Sequence, residues 1–273
     1  MLPHILTGHK MKLYEFFNLR GQLDKKTDTV LGVAGFVALL SVWIIITHFN
    51  MVPPKILPSP FKVLMVLGEL HTKDALVRNT FYSVSLNFLG YLEAIILSLL
   101  IGFPMALFPC VRSLFCRYIN AFRFIPIPAT TGIFIAWFGI YSPMKVHFLA
   151  FGIMVYLIPT IIQRIEEVDK IYDQTALTLG SSMWQRIFHV FIPGALSKLS
   201  DDIRVLTAIS WTYIIVVEMI NAQGGIGVLS WLANRQVRVE KVFAILAVIM
   251  LIGVIQDRIF QRLDKMFFKH KYL

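Results

Sequence analysis

The sequence predicts an all-α membrane protein with six transmembrane helices and both ends of the chain on the cytoplasmic side. Of its 273 residues, 57% are hydrophobic and only 15% are charged, whereas soluble domains carry about 25% charged residues. A helix needs about 20 apolar residues to cross the hydrocarbon core of a membrane. Six apolar runs come close to that length: 30–49, 83–108, 119–141, 146–162, 203–222 and 242–260.

The connections between these runs predict the orientation of the chain. One group of connections carries sixteen Lys and Arg residues when Arg258 is included: 1–29, 109–118, 163–202 and 261–273. The alternate group carries eight: 50–82, 142–145 and 223–241. Because cytoplasmic loops are enriched in Lys and Arg, the first group is predicted to be cytoplasmic. The same enrichment explains the net charge of +10 without a nucleic-acid partner, since no basic stretch is interleaved with aromatic residues.

The domain organisation follows from this count. Residues 1–29 form a cytoplasmic arm, and its segment MKLYEFFNL is typical either of an amphipathic surface helix or of a solvated arm. No small-residue cleavage site follows the first apolar run, so that run is expected to be a retained span. Residues 30–260 then form one membrane domain, and 261–273 form a basic tail.

The segment after the first span contains four prolines in eight residues, from Pro53 to Pro60. These prolines keep the chain extended and exclude helix. Residues 61–70 resume a helical spacing of apolar residues, with Ser59 as a candidate cap. We therefore expect an interfacial helix before the second span.

Two ionisable residues lie in the second and third spans. Glu93 is expected to be kept neutral or hydrogen-bonded to a neighbouring helix, with Asn87 and Ser98 of its own span as polar company, and a functional role is the alternative. Arg123 is expected to extend to the cytoplasmic headgroups, with attraction of an anion as the alternative. Four prolines are predicted to kink or break the spans: Pro104, Pro126, Pro128 and Pro159.

The 40-residue connection 163–202 is long enough to require a structure or a function. IYDQTALTL predicts a short helix, Gly180 a left-handed terminator, and Ser181 or Ser182 the cap of a second helix that Pro193 ends. This pair of bent helices would expose an apolar face outside the membrane, and such a face usually has a partner.

The fifth span contains Glu218 and is followed by the glycine-rich run AQGGIG. Irregular backbone near a membrane is tolerated only when it is buried in protein or lines a wet cavity. We therefore expect a loop that dips back at the outer mouth of a pathway and is fixed by Glu218. The candidate pathway residues are Trp137, Trp211, Glu218, Asn221, Gln223 and Gly225.

Several kinds of chemistry are not expected of this chain. Cys110 and Cys116 have no nearby His and no second pair, which argues against a metal site or a disulfide framework. The chain contains no G-x-x-x-x-G-K-[ST] phosphate loop and no H-E-x-x-H or G-x-S-x-G motif. It is therefore expected to bind no cofactor, not to be an enzyme, and not to hydrolyse ATP by itself.

The connection 163–202 resembles the signature loop of ABC importer permeases, which reads EAA, three residues, G, nine residues, I-x-L-P. Gln174, Thr175 and Ala176 occupy the EAA places, and Gly180 follows at the right spacing. The I-x-L-P places are filled by Val190, Ile192 and Pro193. Asp173, one residue earlier, could supply the charge that Gln174 lacks.

Three further segments resemble the nitrate/sulfonate/taurine group of these permeases: ILPSP at 56–60, FRFIPIPATTGIFIAWFGI at 122–140 and ISWTYIIVVEMINAQGGIGVL at 209–229. The resemblance implies the six-helix fold of a type I ABC importer permease in a bacterial inner membrane. It also implies a second permease copy, an ATP-binding subunit that uses ATP and Mg²⁺, and a substrate-binding protein that delivers a small solute, such as nitrate, a sulfonate or taurine. The residues expected to couple to the ATPase are Asp173, Gln174, Thr175, Ala176, Gly180, Met183, Trp184 and Pro193.

The alternative is an ion-coupled secondary carrier, which needs no ATPase. Such carriers contain inverted repeats and charged residues at the membrane midplane. No internal repeat is evident in this sequence, which favours the importer.

Overall fold

The computed structural model describes residues 19, 21, 23–220 and 223–271, and all regular structure in these ranges is helical. The chain divides into two compact units after Phe61. The first unit contains helix α1 (Lys25–His48) and the proline-rich segment that follows it. Trp43 Nε1 donates a hydrogen bond of 3.0 Å to the carbonyl of Pro58, which folds that segment back toward the end of α1. Residues 11–18 of the predicted surface helix lie outside the described ranges.

Five helices are long and apolar enough to cross a membrane: α1, α3 (Leu76–Leu107), α6 (Ser142–Glu166), the continuous helix Met183–Ile220, and α11 (Val239–Phe267). The continuous helix consists of α8 (Met183–Arg186), a π-helical turn (Ile187–Phe191) and α9 (Ile192–Ile220). The shorter helices are α2 (Pro60–Thr72), α4 (Pro109–Phe122), α5 (Thr131–Phe138), α7 (Lys170–Thr178) and α10 (Ile226–Arg235). Helix α2 occupies the place of the predicted interfacial helix.

The third predicted span is not a single straight helix. Helix α4 ends at Phe122, and the chain resumes in a 3₁₀ turn, Ile127–Thr130, that leads into α5, with a bend of 99° between the two arms. Pro126 and Pro128 cause the break, because proline has no N–H for the helical ladder and its ring clashes with the preceding turn. Pro104 and Pro159, by contrast, lie inside the unbroken helices α3 and α6. The prediction of a break is therefore wrong at these two positions.

Helices α3 and α6 pack closely along a line of small residues on α3: Gly90, Ala94, Ser98 and Gly102. A Cβ atom on Gly90 would lie 2.9 Å from the carbonyl oxygen of Val146, and one on Gly102 would lie 3.0 Å from Ile161. Small residues let membrane helices approach in this way. Because later residues of α3 meet later residues of α6, the two helices run in the same direction. The bent pair α4–α5 must therefore return the chain across the membrane, which makes six crossings.

Helix α9 runs antiparallel to both α6 and α11. Arg164 of α6 binds Asp202 near the start of α9 with N–O distances of 2.6 and 2.8 Å. Trp211 Nε1 donates to Gln256 Oε1 of α11 at 2.7 Å. The buried core of the second unit lies where α3, α6 and α9 meet, around Phe148, Ile153 and Ile214.

Most of the ion pairs described in the second unit collect at two opposite ends. At the α7 end, Arg112 pairs with Glu166, and Lys271 Nζ lies 2.9 Å from Asp201. This end holds segments 109–118, 163–202 and the described part of 261–273. At the α10 end, the hydroxyls of Tyr82 and Ser142 lie 3.0 Å apart. The segments predicted to be cytoplasmic in this unit thus lie together at one end.

The α10 end also contains a strong ionic contact between α2 and the start of α11. Arg238 donates to both carboxylate oxygens of Glu69 at 2.8 and 2.9 Å, and Lys241 Nζ lies 3.2 Å from Glu69. The hydrogen bonds from Arg238, which outweigh desolvation and are reinforced by Lys241, lower the pKa of Glu69 to about 2. The carboxylate therefore stays charged throughout the physiological pH range.

Candidate functional site

The α7 end carries two short helices joined by a tight glycine turn. Asp169 begins α7, because its side chain accepts a hydrogen bond of 2.9 Å from the N–H of Ile171. Gly180 ends the turn after α7 with a φ of 79°, and the N–H of Ser181 reaches back to the carbonyl of Ala176 at 3.0 Å. Ser182 and Gln185 then form a reciprocal capping box at the start of α8. The predicted terminator at Gly180 and the predicted serine cap are both confirmed.

A bidentate ion pair holds α7 against α8. Arg186 donates to the two carboxylate oxygens of Asp173 at 2.6 and 2.7 Å. Both side chains are partly buried. The charge of Asp173 is thus engaged inside the chain, and sequence reasoning missed its partner because Arg186 lies in the next helix.

The prediction that Pro193 ends the second helix is wrong. Helix α8 continues through the π-helical turn into α9, and Pro193 is the second residue of α9. A proline there would clash with the carbonyl of the residue four positions earlier in an α-helix. In the π turn the N–H of Ile192 bonds to the carbonyl of Ile187, five residues back, and this wider winding accommodates the proline.

The outer surface of this helix pair is apolar. Leu179 is 80% exposed and Trp184 is 60% exposed, and Trp184 stacks on Phe188 with ring centroids 6.2 Å apart. Gln174, Thr175 and Met183 are also exposed. A cavity of about 810 Å³ opens between α7 and the α8–α9 helix, with Tyr172, Ala176 and His189 among its lining residues. The candidate coupling residues therefore share one accessible surface at the α7 end, beyond the membrane-spanning segments.

At the α10 end, Glu218 holds the glycine loop as predicted. It is fully buried, accepts 2.6 Å from the Ser83 hydroxyl and accepts 2.8 Å from the N–H of Gly227. The Ser83 oxygen in turn accepts 2.8 Å from the N–H of Ile226. Ser83 belongs to α3, so this network joins the loop to two spans.

The other candidate pathway residues are dispersed. Trp137, at the end of α5, is 70% exposed, and Gln223 is exposed on the glycine loop. Trp211 is buried and lines a separate, largely apolar cavity of about 500 Å³ between α3, α9 and α11. Asn221 lies outside the described residues. Within a single copy of the chain, these side chains do not form one cluster.

Two further features were missed or misjudged at the sequence level. Lys145, assigned to a connection, is completely buried at the start of α6, with its Nζ 5.2 Å from the centroid of the Tyr82 ring. Glu93 Oε1 lies 2.7 Å from Nδ1 of His147 on α6, which confirms the expected hydrogen bond to a neighbouring helix, although Asn87 and Ser98 are not its partners. Pairing between helices 54 residues apart leaves no local sequence signal.

Asn87 and Ser98 have other environments. Asn87 Nδ2 donates to the Ser210 hydroxyl of α9 at 3.0 Å. The buried Ser98 hydroxyl has no hydrogen-bond partner among the described residues. Arg123 lies exposed directly after the end of α4, at the break before α5. Within the described ranges, no group of three or more His, Cys, Asp or Glu side chains could hold a metal ion.

The chain is similar to known transport proteins over most of its length. It is 26% identical over 235 residues to the taurine transport system permease protein TauC of Escherichia coli (strain K12), covering 84% of this chain and 86% of the relative. It is 25% identical over 231 residues to the putative aliphatic sulfonates transport permease protein SsuC of Bacillus subtilis (strain 168), covering 85% and 84%.

Solved structures support the fold. A crystal structure of an amino acid ABC transporter with histidines superimposes with a TM-score of 0.57 at 19% identity, covering 75% of this chain and 97% of that chain. The model of the family described as "Binding-protein-dependent transport system inner membrane component" matches residues 94–269. The chain therefore belongs to this family, as the membrane-spanning permease subunit of an ABC importer in the inner membrane and not as an enzyme or an ion-coupled carrier.

Proposed function

We propose that the α7–α8 helix pair is the surface through which an ATP-binding subunit drives this permease. The observation that carries the proposal is the continuous helix Met183–Ile220. Its first residues, Met183 and Trp184, are exposed outside the apolar zone, and its last residues contact the glycine loop through Glu218. A partner that pushes on α8 would therefore act on the fifth span without an intervening loop.

The proposed contact surface contains the residues identified from the signature loop: Asp173, Gln174, Thr175, Ala176, Gly180, Met183, Trp184 and Pro193. Asp173 acts in it indirectly, by orienting α8 through Arg186. Exposed aromatic and apolar side chains such as Trp184 are the kind that anchor protein interfaces. ATP and Mg²⁺ would be used by the partner, and this chain would bind no cofactor.

We further propose that the transported solute is a small sulfonate-type anion, taurine among the candidates. Support comes from the printed functions of two relatives, a taurine permease and an aliphatic sulfonate permease. A substrate-binding protein would deliver the solute on the outer side. Two copies of this chain would enclose the pathway, with residues 30–260 as the permease domain, 1–29 as a cytoplasmic arm and 261–273 as a cytoplasmic tail.

The candidate pathway residues enter this proposal with different support. Glu218 and Gly225 shape the glycine loop, and Trp137 and Gln223 are accessible side chains. Trp211 is tied to Gln256, which favours a supporting position behind the pathway. Asn221 is proposed from its place beside the loop in the sequence alone.

Gly180 offers a direct test of the helix pair. Its φ of 79° suits glycine or asparagine but strains a β-branched residue, and no described heavy atom lies within 4 Å of a Cβ built there. Gly180→Val is therefore expected to distort the turn and to abolish both taurine uptake and co-purification of the ATP-binding subunit, with membrane insertion unchanged. Gly180→Asn is the matched control and is expected to retain co-purification. Normal uptake and docking in Gly180→Val would contradict the proposal.

A further inference from the structure

Helix α11 is anchored in different ways at its two ends. Near the α10 end it buries Lys241, Ala244 and Ile245, and its next buried residue, Asp264, lies close to the opposite end. Much of the stretch between them borders the cavity of about 500 Å³ that separates α11 from α3 and α9. Burial of apolar side chains therefore fixes the α10 end of α11 but not its α7 end.

Polar contacts attach the remainder of α11 to α9. Trp211 Nε1 donates to Gln256 Oε1 at 2.7 Å, and Arg204 Nε lies 3.1 Å from a carboxylate oxygen of Asp257. The side chain of Asp257 is 47% exposed, and ion pairs that solvent reaches contribute little. The attachment at the α7 end therefore depends mainly on the buried Asp264.

Asp264 lies at the centre of a C-terminal cluster, which consists of Ser200, Asp201, Asp264 and Lys271. The Ser200 hydroxyl donates to Asp264 Oδ1 at 2.5 Å. Lys271 belongs to the 3₁₀ turn after α11 and folds back, so that its Nζ lies 3.2 Å from both carboxylate oxygens of Asp264. The same Nζ lies 2.9 Å from Asp201 and 3.1 Å from the Ser200 hydroxyl. One ammonium group thus joins the end of α11 to the first part of α9.

The C-terminal cluster is built to resist separation of the two helices. The side chain of Asp264 is 7% exposed and that of Lys271 is 18% exposed. Hydrogen bonds between charged groups are stronger than those between neutral groups, and a buried charge that loses its partner is costly. A displacement of α9 that left α11 behind would break the contacts of Ser200 and Asp201 with Asp264 and Lys271.

We propose that Lys271 is a positioning residue that makes the sixth span follow the fifth when the ATP-binding subunit displaces the α7–α8 helix pair. The inference rests on the proposed coupling surface, since Ser200 lies on the continuous helix that begins at Met183. Ser200 follows Trp184 by about 24 Å of helix. The C-terminal turn thereby extends the moving part of the permease from one span to two.

Cross-linking between α9 and α11 tests the inference without reference to the solute. Arg204→Cys is combined with Asp257→Cys, which leaves the C-terminal cluster intact, in the complete transporter with Cys110→Ser and Cys116→Ser. A reducible bifunctional thiol reagent is expected to join the two cysteines to the same extent in the nucleotide-free state and in the state trapped with ATP and vanadate. A cross-link that forms in only one of these states would overturn the inference.

Lys271→Gln in the same background shows whether the cluster holds the two spans together. Its cross-linking is expected to persist without nucleotide and to fall about tenfold in the trapped state, the factor by which loss of a charged hydrogen bond shifts an equilibrium. Lys271→Arg keeps the charge and should behave like the wild type, as should Lys269→Gln at an exposed lysine of the same turn. Asp201→Asn, which spares the buried pair, repeats the test if Lys271→Gln does not fold. Unchanged cross-linking in these two variants would overturn the role of Lys271.

The cross-link also provides a rescue experiment. Lys271→Gln is expected to lower the amount of taurine imported per ATP hydrolysed, while ATP hydrolysis continues because the α7–α8 helix pair is unaltered. Joining Arg204→Cys to Asp257→Cys before ATP is added should restore this ratio, and reducing the cross-link should lower it again. If the cross-link instead blocks import, the two spans must separate during transport, and the inference is overturned.

The outcomes distinguish this inference from the proposed function. If the wild-type permease does not bind the ATP-binding subunit, the coupling surface is wrong and the inference is overturned with it. If the subunit binds but taurine is not imported, the proposed solute is wrong, and the cross-linking comparison decides the role of Lys271. If the subunit binds and cross-linking of the wild-type cluster depends on nucleotide, the coupling surface is retained and only the role of Lys271 is overturned.

Discussion

Gly225 shows how closely one residue can be constrained in the glycine loop. Its φ is 112°, in a region that side chains rarely adopt, and a Cβ atom there would collide with the carboxyl group of Glu218. Gly227, two residues on, is equally restricted, because its Cβ would lie 2.6 Å from the carbonyl oxygen of Ile215. The loop therefore depends on two glycines for which no other residue fits.

Gly225→Ala is expected to destabilise the permease. Backbone strain of this kind costs about 1–3 kcal/mol, and displacement of Glu218 would add the loss of its bond to Gly227. The measurement is the thermal unfolding midpoint of the purified permease in detergent. Gly132→Ala in α5, where no described heavy atom lies within 4 Å of a new Cβ, is the control and should not lower the midpoint. Equal midpoints for the two variants would argue against the constraint.

Sequence reasoning succeeded for the Glu218 contact because both partners lie within ten residues. A carboxyl group next to a run of backbone N–H groups in apolar surroundings has few other hydrogen-bond donors within reach. It could not identify Ser83, which is 135 residues from Glu218. The same limit explains why His147 was not identified as the partner of Glu93, since the packing of α3 on α6 brings the two together.

At the scale of helices, the angle between α7 and α8 depends on the Asp173–Arg186 pair and on the Gly180 turn. Local signals predicted the turn and the caps, because glycine and serine act on their immediate backbone neighbours. The continuation through Pro193 was not predicted, since a π turn has no clear sequence signature and reverses the usual effect of proline. The bend between α4 and α5 was indicated by two prolines, but its angle of 99° was not.

Neutralising Asp173 is expected to weaken docking of the ATP-binding subunit. Because Asp173 holds α8 against α7 through Arg186, its loss is expected to lower the affinity by up to about fivefold, as is typical of an ion pair at a protein surface. Affinity is measured for Asp173→Asn with the purified ATP-binding subunit. The exchanged pair Asp173→Arg with Arg186→Asp is expected to restore docking. Failure of the exchange to restore it, with the fold intact, would indicate that Asp173 contacts the partner directly.

Across the whole second unit, the direction of packing determines which connections share an end. The parallel pair α3–α6 and the antiparallel α9 and α11 bring 109–118, 163–202 and the described tail together. The count of Lys and Arg assigned this same group to the cytoplasm. The five crossings of this unit and their alternation were therefore predictable from composition, whereas the neighbours of each span were not.

Cys110 provides a native reporter of this topology. It is exposed at the start of α4, at the α7 end. An impermeant thiol reagent is expected to label Cys110 in inside-out membrane vesicles and not in right-side-out vesicles. Lys73→Cys at the α10 end, in a background without Cys110 and Cys116, should show the opposite pattern. Labelling of Cys110 from the outer side would reverse the orientation of the entire molecule.

The continuous helix Met183–Ile220 also has a mechanical consequence. Tyr213 of α9 packs closely against Gly152 of α6, since a Cβ atom on Gly152 would come within 2.8 Å of the tyrosine ring. If that contact is the fulcrum, Trp184 lies about 44 Å away on one arm and Glu218 about 8 Å away on the other. With arms of such unequal length, a large displacement of the α7–α8 helix pair would become a small but stronger displacement of the glycine loop.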